Sequence, residues 1–114
     1  MNQVNQLHPL ALAFIGDAVM GLKVKQQIVA DVKVNELHKR ASQLICAKSQ
    51  SKLYDALQLT GDETDIANRA FNAKHHTVPK NCTLVEYRKA TALEAVIGYN
   101  WLQKNYERVE EILK

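Results

Sequence analysis

A chain of 114 residues suffices for one domain around one core and is too short for a catalytic domain plus an independent recognition domain, so residues 1–114 read as a single unit. With 46% hydrophobic and 24% charged residues but 4 Gly and 2 Pro, the composition is that of a folded protein and favours helices over a many-turned sheet. No apolar run approaches the roughly 18–20 residues that span a bilayer, and Met1 to Gln6 lacks the charged and apolar regions of a signal peptide, so a cytoplasmic protein with no membrane partner is expected.

Between Leu10 and Ile28, apolar residues at Leu10, Phe14, Ile15, Val19, Leu22 and Ile28 approach helical spacing, and Pro9 suits a first turn. A helix with one buried face is predicted there. After a break at Asp31-Val32-Lys33-Val34, Asn35 can cap a second helix carrying Leu37, Ala41, Leu44 and Ile45. Ser49-Gln50-Ser51 reads either as a bend in that helix or as a polar turn before Leu53, Tyr54 and Leu57. Thr60 and Glu63 match a capping box, opening a helix from about Asp62 to Ala73. Lys74 to Cys82 is aperiodic and contains Pro79, so it reads as a loop. Thr83 and Glu86 repeat the capping-box pattern and open a long helix towards Gln103, with Leu84, Tyr87, Ala90, Leu93 or Glu94, Ile97 and Trp101 along one side. Asn105 can cap a short last helix with Tyr106, Val109, Ile112 and Leu113. Nothing alternates with period two for long enough to make a strand. The fold class is therefore all-α, with five to six helices.

Asp17 and Glu94 are the candidate catalytic and metal-binding residues. The first lies in LAFIGDAV (12–19) and the second in ALEAVIG (92–98), each of which reads as a buried helix. A carboxylate in such surroundings needs a hydrogen-bond partner, a cation or a proton in place of its lost hydration. If the two helices cross near Gly16 and Ala95, the acids converge and repel unless a divalent cation joins them. Oxygen ligands suit Mg²⁺, with Mn²⁺ as a substitute, and the arrangement fits a phosphodiester hydrolase. The alternative is that each acid is paired with a nearby base, for instance Glu94 with Arg88 or Lys89.

The net charge of +3 is modest, but its distribution is uneven. Arg69, Lys74, Lys80, Arg88 and Lys89, with His75 and His76, share one stretch with a single acid, Glu86. Together with Asn81 they form a candidate RNA-binding strip, the alternative being a solvated charged surface. The strip has Phe71 and Tyr87 as its aromatic residues, which favours shape recognition of double-stranded RNA over base stacking on a single strand. Cys46 and Cys82 read as reduced thiols; His75, His76 and Cys82 lack a fourth ligand for zinc.

LAFIGDAV resembles the LEFLGDAVL signature of the ribonuclease III family, and ALEAVIGYNWL resembles its second acidic segment, DAFEALIGAIYL. NELHKRASQLICAKSQ, Asn68 to Lys74, and VPKNCTLVEYRKATALEAVIGY are similar to the compact Mini-III branch, which lacks a separate double-stranded-RNA-binding domain. The resemblance implies a ribonuclease III-like helical homodimer, an Mg²⁺-dependent endonuclease acting on double-stranded RNA, with large-subunit (23S) ribosomal RNA precursor as substrate. It assigns Asp17 and Glu94 to two of the family's acids, while Ala13 and Thr91 stand where most members have two more. It also implies that Phe14, Ile15, Val19 and Met20 line the dimer contact. A ribosomal-protein helper that shapes the RNA stays open, as does a rival function in which the fold binds RNA without cutting it.

Overall fold

The computed structural model describes residues 3–29, 33–74 and 78–114, so His75 and His76 lie outside the described residues. Within them the chain forms six α-helices, α1 (Pro9–Ile28), α2 (Val34–Ile45), α3 (Ala47–Ala56), α4 (Gly61–Phe71), α5 (Leu84–Leu102) and α6 (Tyr106–Ile112), preceded by a 3₁₀ turn at Val4–Gln6. None of these helices is long and apolar enough to cross a membrane. The expectation of an all-α domain holds.

Local signals set several boundaries. Pro9 occupies the first turn of α1, and His8 caps it by accepting the Leu10 N–H on Nδ1 at 3.1 Å. Both capping boxes form: Thr60 accepts from Glu63 N–H at 3.2 Å while Glu63 accepts from Thr60 N–H, and Thr83 and Glu86 do the same at 3.1 and 2.8 Å. Asn35 does not cap α2, which begins one residue earlier with Lys33 as its boundary and no side-chain cap. Ser49-Gln50-Ser51 forms neither a bend nor a polar turn but lies within α3, and the break falls at Cys46, whose extended backbone separates α2 from α3. Ser49 then donates to the Gln43 carbonyl at 2.8 Å, serving one of the free acceptors at the end of α2.

Helix α5 is the centre of the molecule, packed by α1, α3 and α4. From Ala90 to Asn100 every residue except Glu94 is buried, so the one-sided helix read from the sequence is in fact surrounded. Its Leu93, Val96 and Ile97 join Leu12, Ile66, Val109 and Ile112 in the core, each such side chain contributing about 1.5–3 kcal/mol by leaving water. The buried face of α1 is likewise rotated from the expected one: Leu12, Ala13, Gly16, Val19, Met20, Val24 and Ile28 face inward, while Phe14 and Leu22 are exposed. Cys46 and Cys82 are free thiols.

One buried polar cluster locks α4, α5 and α6 together. Glu63 accepts two 2.8 Å bonds from Arg108 and one of 2.9 Å from Asn100. Burial would push the Glu63 carboxyl up, but bonds from Arg108, the Thr60 N–H and Asn100 outweigh it and hold it below its ordinary value.

Candidate active site

Two glycines decide how closely α1 and α5 approach. A Cβ on Gly16 would fall on the Glu94 carbonyl oxygen, and one on Gly98 would fall on the Leu12 carbonyl oxygen. Backbone therefore meets backbone at both points, which any side chain would forbid. Asp17, next to Gly16, is thereby brought against the Glu94 carboxyl.

The two acids differ in surroundings. Asp17 is exposed rather than buried as the sequence suggested, because it sits at the rim of the helix contact. Glu94 is half-buried, and its carboxyl is raised to about 8, first by desolvation, then by the charge of Asp17 and by a hydrogen bond with it. Glu94 is therefore the member of the pair that keeps its proton at neutral pH where no cation is bound. Gln50 on α3 donates from Nε2 to the Ile45 carbonyl at 2.9 Å and to Glu94 Oε2 at 3.4 Å.

The alternative pairing of Glu94 with a base does not form among the described residues. Lys89 is bound to Asp55 at 2.8 Å, and Arg88 lies over the Phe71 ring at 5.8 Å from its centroid. Ala13 and Thr91 are both buried, and Thr91 Oγ1 donates to the Tyr87 carbonyl of its own helix at 3.0 Å. Neither supplies a further carboxylate. Among the described residues there is no group of three or more His, Cys, Asp or Glu able to hold a metal ion. Two carboxylates still suffice for Mg²⁺, which takes one or two acids and leaves its remaining positions to water and substrate phosphate.

The basic strip is divided by the fold. Arg69 donates to the carbonyls of Asn5 at 2.7 Å and Leu7 at 3.1 Å, tying the segment before α1 to α4. Lys74, Lys80 and Asn81 are exposed. Lys80 and Asn81 line a shallow cleft with Lys48, Cys82, Thr83 and Glu86. Lys48, in the first turn of α3, was not singled out in the sequence because it lies far from the charge-rich stretch. Gln50 was also missed, although it heads the series Gln50, Leu53, Tyr54, Leu57 at the spacing of an inward helix face.

The sequence model described as the ribonuclease III domain matches residues 10–105. The Mini-ribonuclease 3 of Staphylococcus aureus is 42% identical over 118 residues, spanning 98% of this chain and 88% of that protein. The chain belongs to the ribonuclease III family. Its relatives fall on the Mini-ribonuclease 3 branch, that of Clostridium tetani being 40% identical with 97% of this chain and 77% of the relative covered. A crystal structure of a Fusobacterium nucleatum protein superposes with a TM-score of 0.90 at 34% identity, covering 99% of this chain and 93% of that one. The ribonuclease III-like fold is thus established, and membership makes the chain a ribonuclease.

Proposed function

We propose that this ribonuclease is a divalent-cation-dependent endonuclease that cuts double-stranded RNA as a cytoplasmic homodimer, with large-subunit ribosomal RNA precursor as its substrate. The observation that carries the reading is the glycine crossing of α1 and α5, which sets Asp17 against Glu94 with no lysine or arginine paired to either among the described residues. Asp17 and Glu94 would hold Mg²⁺, or Mn²⁺ in its place. When bound, the cation supplies an activated water and stabilises charge on the phosphodiester under attack. Asp17, being exposed, faces the side from which a phosphate arrives; Glu94, held by Gln50, is the fixed member of the pair.

The homodimer is supported by the second apolar face of α1. Ala11, Phe14, Ala18 and Leu22 recur at helical spacing and are exposed, Phe14 by 76% and Leu22 by 54%. Val19 and Met20 belong to the chain's own core, so Phe14 and half-buried Ile15 are the expected contacts that can reach a second copy. Lys74, Lys80, Asn81 and Lys48 are the groups best placed to meet RNA phosphates, whereas Arg88 lies over Phe71 and Lys89 is paired with Asp55.

The test is incubation of the purified chain with a long RNA duplex, with and without Mg²⁺, beside Asp17→Asn and Glu94→Gln. Metal-dependent cuts that both variants abolish while still binding the duplex are expected. Binding without cleavage by the wild type would overturn the proposed substrate and cation dependence, and near-normal cutting by either variant would remove these acids from the chemistry.

A further inference from the structure

Gln50 is 5% exposed, and its Oε1 is a buried oxygen with no hydrogen-bond partner. The same carboxamide is anchored by Nε2 to the Ile45 carbonyl and touches Glu94 Oε2. A buried amide oxygen left unpaired carries a desolvation penalty that a native fold seldom bears without a reason. Here the reason is next to it. Three helices bring three oxygen-bearing side chains to one place: Asp17 from α1, Gln50 from α3 and Glu94 from α5.

We propose that Gln50 is the third protein oxygen serving the divalent cation held by Asp17 and Glu94, its Nε2 steering the Glu94 carboxylate and its Oε1 being the acceptor reserved for the hydrated ion. This rests on the reading of the acid pair given above and adds a residue to it. Amide carbonyls are hard oxygen donors that suit Mg²⁺ and Mn²⁺ as carboxylates do. A neutral donor also adds no third negative charge to a pair that already repels. Gln50 is a positioning residue on this account, acting through the ion and through Glu94.

The experiment is Mn²⁺ titration of the intact chain, read by the electron paramagnetic resonance of the free ion, with melting in EDTA as a parallel measurement. Gln50→Met keeps the length of the side chain and removes both polar functions; it should weaken Mn²⁺ binding about 10- to 100-fold, the usual effect of losing such a supporting contact. Gln50→Glu keeps an acceptor oxygen and should bind Mn²⁺ no more weakly than wild type. A merely structural role would lower the melting temperature of both variants in EDTA and leave the affinity of the folded protein in place. Wild-type affinity in folded Gln50→Met overturns the proposal. Should that variant fail to fold, Gln50→Glu decides alone, and an affinity loss of about tenfold or more overturns it. A wild type that binds no Mn²⁺ overturns the acid-pair reading itself, and this inference with it.

Discussion

Replacing Glu94 by glutamine removes a side chain that the fold keeps protonated well above its ordinary range. In the unfolded chain Glu94 releases its proton near 4.5, whereas in the native chain burial and Asp17 hold it to about pH 8. Between those values the native state binds the extra proton, so the stability of the metal-free protein falls as pH rises from about 4.5 to 8. At about 1.4 kcal/mol per pH unit the interval sets a ceiling of about 5 kcal/mol. Glu94 is only half-buried and Asp17 is exposed, so residual hydration of the one and screening of the other bring the expected figure to about 2 kcal/mol. Glutamine keeps the shape and has no proton to lose. In EDTA at pH 8.5 the variant should therefore melt about 8 °C above wild type, at about 4 °C per kcal/mol for a domain of this size, and the two should converge near pH 4.5. Saturating Mg²⁺ should narrow or reverse the difference, because it stabilises the ionised pair of the wild type. Scanning calorimetry across this range measures each point. An equal difference at pH 5 and pH 8.5, or a variant less stable than wild type at pH 8.5 in EDTA, would refute the view that burial and Asp17 together hold the proton on Glu94.

Gly98→Ala drives a Cβ into the Leu12 carbonyl and should cost about 3 kcal/mol or more, with cleavage falling further than stability because the acid pair opens; denaturant melts and turnover at a permissive temperature separate the two. Arg108→Ala strands buried Glu63 and should cost about 3–5 kcal/mol; since the Glu63 carboxyl is held low, the stabilisation it reports should be present at neutral pH and fade on acidification. Thr91→Asp restores a third acid one turn from Glu94, and repulsion of about 3 kcal/mol at roughly 6 Å should destabilise the protein in EDTA while tightening Mn²⁺ binding; equal destabilisation with and without Mn²⁺ would refute this. Lys74→Ala with Lys80→Ala should weaken duplex binding and lower its salt slope by about 2, measured by fluorescence anisotropy over a salt series.

The parts of the fold legible in the sequence are those governed by neighbours in the chain. Thr60 with Glu63 and Thr83 with Glu86 carry their partners three residues away, so both helix starts could be placed closely. Asn35 has the right chemistry for a cap, yet α2 starts at Val34 with Lys33 at its boundary and no side-chain cap. The faces of α1 and α5 were harder for another reason. Both helices are apolar or small around most of their circumference, so periodicity loses its meaning and only the three-dimensional neighbours tell which side is inside. Charge was similarly ambiguous: nothing local indicates that Arg69 is held by the carbonyls of Asn5 and Leu7, or Lys89 by Asp55.

The economy of acids at this site follows from where α5 runs. A helix buried on nearly every side can carry one carboxylate at its least covered point, and Glu94 is that point between Ala90 and Asn100. Another acid at position 91 would stand on the same face one turn away, and one at position 13 would enter the buried face of α1; both would add charge where hydration is poorest. Threonine and alanine remove that burden. The consequence is a cation site with few protein ligands, completed on the proposed reading by a neutral amide and by the phosphates of the substrate. On that reading the site should bind its ion weakly when empty of RNA and firmly when loaded, coupling cation affinity to duplex occupancy through the same two carboxylates.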